Sequence, residues 1–418
     1  MNNQPGTVAF LHYSAPPIIG GVEAVIQAHT QVFIEAGYSV TVIAGKGDVD
    51  SLYPGAQFTL LPDMDSQASQ VICLSELLEQ GHIPTEFESF TDSLIAQLQP
   101  LLASIDNVIV HNLFTKHFNL PLTAALYRIL DMGGIQNCIA WCHDISWTSP
   151  RSRVKVHEGY PWDLLRTYRP EVTYVAVSKK QQKMLAGLFD CPEKKIHVVY
   201  NGVDPQTLLG LSNEGYALAS RLGLLDSDIN LLMPVRVTEA KNIEYAMQVV
   251  AALKTRGIHP RLVLTGPPDP HEAHSMGYFQ TLQDLRRKLD IEDEMRFVFE
   301  EGPNGEPYTI SLLNVGELYR LSDVMLMPSH HEGFGMPVLE AGLHGIPVFT
   351  TEVPAAVEIG MQDVTLFDKN MDPLKLADRL WEWIEGHPTM RFRRRVRQQF
   401  PWEAILKRDI QPLLKPKT

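Results

Sequence analysis

The sequence VMLMPSHHEGFGMPVLEA, residues 324–341, decides the fold of this chain. It opens with an apolar run typical of a buried strand and continues into a helix-like segment over residues 337–344. Glu332 lies in the loop between the two, and we expect Glu340 in the first turn of the helix. A carboxylate on a loop over a strand end, followed by another at the next helix, is how an α/β protein holds a polar ligand. The stretch therefore predicts an α/β fold with a ligand site at the carboxyl end of this strand.

Strand-like and helix-like segments alternate along the rest of the chain, and the alternation restarts near residue 204. The strand-like runs of the first half are Thr7–His12, Ser39–Ala44, Asn107–His111, Cys138–His143, Val172–Val177 and Ile196–Tyr200. Those of the second half are Asn230–Val235, Arg261–Thr265, Met295–Phe299, Val324–Met327, Ile346–Thr350 and Val364–Phe367. Each half therefore predicts a doubly wound parallel sheet with helices on both faces. We predict one domain over residues 1–203 and a second over residues 204–399, with Ser51–Thr85 as irregular surface structure.

Length and composition limit the class of protein. A chain of 418 residues exceeds one ordinary core, and its formal net charge of -13 argues against a nucleic-acid binder. No apolar run approaches the roughly 18 residues of a membrane span, and the first residues lack the pattern of a signal peptide. The helix-like stretch Val22–Ala36 is not a basic amphipathic stripe, so we expect no strong membrane association. Four cysteines fit neither a disulfide framework nor a zinc site, which favours a cytoplasmic protein.

Two basic residues follow the first strand of the second half. Arg236 ends that strand-like run, and Lys241 comes five residues later, just before a helix-like segment near Ile243. A guanidinium and an ammonium in a strand-to-helix loop can clamp a diphosphate. Basic residues in loops are commonplace, so solvated side chains remain the alternative.

Polar candidates also follow strands of the first half. Gly20 and Gly21 precede a helix, and the free N–H groups at a helix N-terminus suit a diphosphate, although a glycine pair can simply mark a tight turn. His143 closes the fourth strand-like run. Its imidazole could hydrogen-bond a substrate hydroxyl or stabilise developing charge, and a purely structural histidine is an equal alternative.

Motifs of other chemistries are missing. The sequence Gly45-Lys46-Gly47 lacks the third glycine of the dinucleotide fingerprint, which weakens the hypothesis of a nicotinamide enzyme. A Gly-x-Ser-x-Gly elbow is absent from the sequence, which weakens the hydrolase hypothesis. No metal-ligand spacing stands out, so we expect neither a metal nor a cofactor.

Taken together, these residues resemble the retaining glycosyltransferases of family 4, the glycosyl transferases group 1, which have the GT-B fold. The resemblance covers nearly the whole chain, and residues 332–340 are its most specific part. The segments that carry it are Gly20-Gly21, His143-Asp144, Val199–Asp204, Arg236 with Lys241, Glu332–Glu340 and Gly345–Val348. The family usually has glycine where Val235 and Asn242 stand here. These two departures remove no charge and concern the local path of the backbone.

The resemblance implies two Rossmann-like domains that face each other across a cleft. The first would bind the acceptor and be completed by a C-terminal helix over about residues 400–418, and the second would bind the nucleotide sugar. Glu340 would bind the ribose hydroxyls, and Glu332 would contact the transferred sugar. The implied donor-binding residues are Gly20, Gly21, Gly333, Phe334, Gly335, Met336 and Glu340. The implied catalytic residues are Arg236, Lys241, Glu332 and His143, with His143 bonded to the donor sugar.

The resulting hypothesis is a hexosyltransferase of carbohydrate biosynthesis. It would move a hexose from a nucleotide-diphosphate sugar, of the UDP-glucose or GDP-mannose type, to a hydroxyl acceptor that is a small polar metabolite or a glycan. The reaction would retain the anomeric configuration by a front-face, metal-independent mechanism, in which the leaving phosphate takes the acceptor proton. A nucleotide-sugar epimerase and a non-catalytic nucleotide-sugar-binding subunit remain alternatives. The sequence does not predict an oligomeric state.

Overall fold

The computed structural model describes residues 5–269, 274–302 and 306–416. The chain forms two compact units, Met1–Gly202 with Trp402–Thr418 and Val203–Pro401. It therefore passes into the second unit at residue 203 and returns to the first at residue 402.

The first unit is built on a seven-stranded parallel sheet in the order β3-β2-β1-β4-β5-β6-β7. The strands are β1 (Thr7–His12), β2 (Ser39–Ala44), β3 (Gln57–Leu60), β4 (Asn107–His111), β5 (Cys138–Cys142), β6 (Val172–Ala176) and β7 (Ile196–Val198). In the centre of the sheet, Phe10 pairs with Val42 on one side and Ile109 on the other. The strand order reverses between β1 and β4, and such a reversal is where doubly wound sheets bind ligands.

Helices cover both faces of the first sheet. They are α1 (Gly21–Glu35), α2 (Ser69–Glu79), α3 (Phe87–Leu102), α4 (Leu120–Asp131), α5 (Pro150–Arg153) and α6 (Lys179–Leu188). Alternate residues of β1 enter different cores: Ala9 and Leu11 join one, whereas Val8 and Phe10 join the other. This is the expected result when side chains alternate across a strand that is buried on both faces.

The returning C-terminal segment belongs to the core of the first unit. It forms the short helix α15 (Trp402–Ile405) and a π-helical turn over Leu406–Ile410. Trp402, Ile405 and Leu406 are buried in the same core as Phe10, Val25 and Ile26, on the face covered by α1.

The prediction of irregular structure over Ser51–Thr85 was wrong. This segment contains β3 and α2. None of the four residues of β3 is fully buried, because it is the edge strand of the sheet, and its sequence therefore lacks the apolar run of a central strand.

The second unit contains a six-stranded parallel sheet in the order β10-β9-β8-β11-β12-β13. The strands are β8 (Ile229–Met233), β9 (Pro260–Leu264), β10 (Met295–Phe297), β11 (Val324–Met327), β12 (Val348–Thr350) and β13 (Thr365–Leu366). Here the order reverses between β8 and β11. The two parallel sheets confirm the predicted α/β fold with two Rossmann-like, doubly wound domains.

The helices of the second unit also flank both faces of its sheet. They are α7 (Pro205–Leu208), α8 (Asn213–Arg221), α9 (Ile243–Thr255), α10 (Ser275–Lys288), α11 (Leu312–Leu321), α12 (Met336–His344), α13 (Pro373–Gly386) and α14 (Pro388–Gln399). Within β8, Ile229, Leu231 and Met233 enter one core and Leu232 enters the other.

Some predicted strands extend beyond the C-terminal ends of the observed strands. The run Asn230–Val235 was predicted as one strand, but β8 stops at Met233 because Pro234 has no N–H for the ladder. The run Met295–Phe299 ends as a strand at Phe297 and continues as a 3-10 turn over Val298–Glu300.

Candidate active site

The candidate site of the second unit is centred on an ion pair between the loops after β8 and β11. Lys241 Nζ lies 2.7 Å from Glu332 Oε1, and the two side chains are only 19% and 8% exposed. Because the strand order reverses between β8 and β11, the pair spans the position where such sheets bind ligands. The structure thus joins two residues that the sequence analysis had assigned separately to the diphosphate and the sugar.

Further hydrogen bonds fix these two loops to each other. Ser329 Oγ donates to the paired carboxylate oxygen at 2.8 Å. His330 N donates to the carbonyl of Ala240 at 2.8 Å, and Asn242 Nδ2 donates to the carbonyl of Pro328 at 3.2 Å. The carboxylate is therefore held in position by two anchored loops.

The backbone explains one of the two departures from the family pattern. Asn242 has φ 52° and ψ 50°, the left-handed conformation that glycine adopts freely and asparagine tolerates better than most residues. Asn242 thus preserves the backbone path of a glycine. Nothing in the structure explains the valine at position 235, but its carbonyl lies so close to Gly266 that a Cβ there would overlap it.

The loop that leads into α12 contains the predicted sugar contacts. Gly335 caps the helix with φ 99°, a conformation that favours glycine, and a Cβ at Gly333 would meet nothing within 4 Å. The carbonyl of Phe334 accepts a hydrogen bond from Ala355 N at 2.9 Å. Phe334 and Met336 are 39% and 55% exposed, so this loop is accessible to a ligand.

Glu340 lies deeper in its helix than predicted. The helix begins at Met336, so Glu340 is its fifth residue and falls in the second turn, not the first. Tyr319 OH donates to Glu340 Oε2 at 2.8 Å, and His344 stacks on the Tyr319 ring with centroids 4.8 Å apart. Burial, together with the bond to Glu340, raises the pKa of Tyr319. Tyr319 was not among the predicted site residues, and no sequence motif marks it because it contacts Glu340 from the end of the preceding helix α11.

Arg236 lies in the loop three residues beyond β8. Its side chain is 56% exposed, and its guanidinium nitrogen is 3.6 Å from Asp269 Oδ1. This long contact leaves most of the guanidinium accessible, in contrast to the tightly paired Lys241.

In the first unit, the first turn of helix α1 contains an acid, Glu23, that was not among the predicted site residues. Helix α1 begins at Gly21, one residue before the predicted start, with Gly20 as its N-cap. Glu23 accepts a hydrogen bond from Ser14 Oγ at 2.5 Å, and a Cβ at Gly20 would overlap Glu23 Oε2. The carboxylate stabilises the helix N-terminus and adds negative charge where a diphosphate was predicted. An acid in the first turn after the glycine pair was the available signal. The donor-binding role of Gly20 and Gly21 stays a prediction.

His143 directly follows β5 and is hydrogen-bonded to His111 and Asn112, at the end of β4. The backbone N–H of His143 donates to Asn112 Oδ1 at 2.8 Å, and its ring Nε2 lies 3.0 Å from Nδ1 of His111. Among the described residues, the remaining ring nitrogen of His143 has no hydrogen-bond partner. A ligand hydroxyl could therefore bind at Nδ1.

Burial keeps this group of histidines neutral. It lowers the pKa of His143 to about 3, with a smaller contribution from the charge of His12. Burial also lowers the pKa of His29 to about 3 and that of His111 well below its usual range. A neutral imidazole suits the predicted hydrogen bond to a sugar better than the alternative of stabilising charge.

Neither metal clusters nor membrane helices were found in the described part of the chain. In residues 5–269, 274–302 and 306–416, no group of three or more His, Cys, Asp or Glu side chains could hold a metal ion. None of the helices in these ranges has both the length and the apolar character needed to cross a bilayer.

Two known protein families match the chain, one for each of its two units. Residues 220–399 match the family described as Glycosyl transferases group 1, and residues 19–207 match the Glycosyltransferase Family 4. The chain belongs to the group 1 glycosyltransferases. The first match contains the Lys241–Glu332 pair, Arg236 and Glu340 of this glycosyltransferase, and the second contains Gly20, Gly21 and His143.

Three proteins similar to this chain carry different names. An uncharacterized glycosyltransferase of Methanocaldococcus jannaschii is 27% identical over 59% of this chain and 61% of its own length. A mannosylglucosylglycerate synthase of Petrotoga mobilis is 23% identical over 70% of each chain. A D-inositol 3-phosphate glycosyltransferase of Actinosynnema mirum is 30% identical over 45% of this chain and 43% of its own. The alignment with the first of these relatives thus covers less than two thirds of that protein.

Proposed function

We propose that this glycosyltransferase moves a hexose from a nucleotide-diphosphate sugar to a hydroxyl acceptor, with retention at the anomeric carbon and without a required metal. The proposed donor is of the UDP-glucose or GDP-mannose type. The observation that carries the proposal is the buried Lys241–Glu332 pair at the reversal of strand order in the second sheet. In the proposed reaction Lys241 of this pair stabilises the leaving diphosphate, and Glu332 binds the sugar beside it.

The ammonium of Lys241 has three N–H donors, and Glu332 engages one of them. The others remain for the diphosphate, and the exposed guanidinium of Arg236 adds a second positive group from the same loop. Fixed charges aimed at a leaving group stabilise the transition state in which negative charge develops there. In the proposed front-face reaction the leaving phosphate oxygen takes the acceptor proton, so no side-chain base is required.

Glu332 and Glu340 have different parts in this scheme. Glu332 binds hydroxyls of the transferred sugar through the oxygen that Lys241 does not occupy. Glu340, with one oxygen held by Tyr319, binds the ribose of the nucleotide. In the first unit, the neutral imidazole of His143 donates or accepts one hydrogen bond with the sugar.

The acceptor is proposed to be a small polar molecule with a hydroxyl group. The names of three relatives contain glycerate, inositol 3-phosphate and malate, and all three are small and polar. The cytoplasm, expected from the use of cysteine, remains part of the proposal; all four cysteines are free thiols.

The first test is a thermal-shift screen of nucleoside diphosphates and their sugars, because a ligand that binds only the folded state raises the melting temperature. The best donor is then incubated with an acceptor panel, and the product is examined by proton NMR at the anomeric position. A new glycoside with the donor's configuration supports the proposal. An epimerised nucleotide sugar in the absence of acceptor would favour the epimerase, and donor binding without release of nucleoside diphosphate would favour a non-catalytic subunit.

A further inference from the structure

Lys116 lies at the reversal of strand order in the first sheet. It belongs to the loop after β4, which contacts the segment after β1: Tyr13 OH donates to the Lys116 carbonyl at 3.4 Å. The rings of Tyr13 and Phe118 are 5.8 Å apart, and His12 Nδ1 lies 3.0 Å from the carbonyl of His111. Lys116 therefore stands where a doubly wound sheet binds its ligand.

The side chain of Lys116 is charged but has no acidic hydrogen-bond partner. The residue is only 9% exposed, and its Nζ makes no hydrogen bond or ion pair within the described ranges. The ammonium instead lies 4.5 Å from the centre of the Phe118 ring. By contrast, Lys155 is 44% exposed at its side chain and pairs with Glu79 at 2.9 Å.

Such an environment is unfavourable for an ammonium ion. Burial lowers the pKa of Lys116, and the charge of Asp144 offsets this only in part. Asp144 is exposed, and its carboxylate accepts a hydrogen bond from Asn112 Nδ2 at 3.4 Å instead of one from the lysine. An ammonium on a residue with so little exposed surface favours a ligand that provides an acceptor.

We propose that the acceptor of this glycosyltransferase carries an anionic group, a carboxylate or a phosphate ester, and that Lys116 binds it. The inference rests on the proposed transfer to a hydroxyl acceptor and names the chemical class of that substrate. An anionic oxygen supplies the charge-assisted hydrogen bonds that the described protein groups do not give to Nζ. The anion then fixes one end of the acceptor in the first unit and leaves its hydroxyl free to react.

The test compares three acceptors with the same three-carbon skeleton: glycerol, D-glycerate and glycerol 3-phosphate. With the best donor, we expect kcat/KM for at least one of the two anions to exceed that for glycerol by tenfold or more. The anion with the higher kcat/KM, D-glycerate or glycerol 3-phosphate, then identifies the preferred group as a carboxylate or a phosphate. Equal or better use of glycerol would overturn the proposal.

Substitutions assign the preference to one side chain. Lys116→Gln should lower the anion-to-glycerol ratio of kcat/KM about 10- to 100-fold, mainly through the acceptor KM, and Lys116→Arg should restore part of it. Lys155→Gln removes a nearby exposed lysine and serves as the matched control, with an unchanged ratio expected. If Lys116→Gln keeps the wild-type ratio, Lys116 does not bind the anion.

A direct binding measurement separates this inference from the proposed function. Isothermal titration calorimetry with inorganic phosphate and with D-glycerate requires no turnover. Binding to the wild type that is lost in Lys116→Gln and kept in Lys116→Arg supports the site even if no glycoside forms with any donor. Absence of binding to the wild type, or equal binding to Lys116→Gln, would reject it even if glycosyl transfer is demonstrated.

Discussion

Lys241 and Glu332 are 91 residues apart in the sequence, yet their side chains form an ion pair of 2.7 Å at the point where the strand order of the second sheet reverses. Each residue holds the other in place, and Ser329 secures the shared oxygen. The effects of substituting the two residues should therefore not be additive, because removal of either leaves the other in a largely buried position without its partner.

Replacement of Lys241 by alanine should lower kcat about 100- to 1000-fold, since the developing charge on the leaving diphosphate loses a fixed hydrogen-bond donor. The measurement is steady-state release of nucleoside diphosphate at saturating donor and acceptor. Lys288→Ala, at an exposed lysine in the last turn of α10, is the control and should behave as wild type. Wild-type turnover by Lys241→Ala would disprove the role of the lysine at the diphosphate.

The left-handed conformation of Asn242 predicts an unusual order of stabilities. Asn242→Gly should be more stable than Asn242→Ala by about 1 kcal/mol, because alanine is strained at φ 52° and glycine is not. Urea unfolding followed by circular dichroism measures the difference. Equal stability of the two variants would show that the conformation imposes no such strain.

Tyr319 is expected to position Glu340 without touching the reacting atoms. Tyr319→Phe removes the hydrogen bond to Glu340 Oε2 and should raise the donor KM about three- to tenfold, with kcat within twofold of wild type. Because the variant has lost part of its ribose contact, replacement of the donor ribose by 2′-deoxyribose should raise the donor KM less in Tyr319→Phe than in the wild type. A fall in kcat at unchanged KM would contradict this assignment.

The buried histidines make the protein sensitive to acid. His29 and His143 have pKa values of about 3 in the folded state, below the usual value near 6.5. Well above pH 6.5 both are neutral in either state and contribute no pH dependence. Between about pH 6.5 and 3 the unfolded chain binds protons that the folded one does not. The free energy of unfolding should therefore fall with decreasing pH, by up to about 1.4 kcal/mol per pH unit for each group.

A substitution at His29 tests this pH dependence. Within the described residues both of its ring nitrogens lack hydrogen-bond partners, and its ring packs against Trp141 and Trp402. His29→Met should reduce the slope of unfolding free energy against pH between 7 and 5, measured by urea titrations. His259→Gln, at an exposed histidine, should leave the slope unchanged. The same slope in His29→Met and wild type would refute the assignment to His29.

Arg397 is the buried arginine of the arginine-rich helix α14. Arg397 is 8% exposed and bonds both oxygens of Asp323, at 3.0 and 2.9 Å. Arg397→Met should cost up to about 3–5 kcal/mol of unfolding free energy, because the buried Asp323 loses both close hydrogen bonds and keeps only a 3.7 Å contact with Arg393. Arg395→Met, at an exposed position of the same helix, should cost less than about 0.5 kcal/mol. Thermal or urea unfolding of the two variants checks the contrast.

Much of the fold could be predicted because central parallel strands are buried on both faces and therefore read as continuous apolar runs. The strands around Phe10 and Leu326 are examples. The edge strand β3 lacks that signal, since none of its four residues is fully buried. Helix α2 did carry a signal: Val71, Leu74 and Leu78 are buried at helical spacing, but the surrounding prolines and acids obscured it.

The candidate site was less predictable, because its geometry depends on tertiary contacts. Residue type and position after a strand were enough to select Lys241, Glu332 and His143. They were not enough to show that Lys241 bonds Glu332, or that Tyr319 holds Glu340. Such contacts depend on the order of strands in the sheet, and no local pattern of the sequence encodes that order.

The return of the chain to the first unit at Trp402 has a consequence for synthesis on the ribosome. Trp402, Ile405 and Leu406 complete a core whose other residues are made first, whereas the second unit is a single continuous segment, Val203–Pro401. At roughly 5–20 residues per second, translation of that segment takes about 10–40 s. During this time the nascent first unit exposes the apolar face that will receive Trp402, so it is the later-emerging half of the protein that can finish folding first.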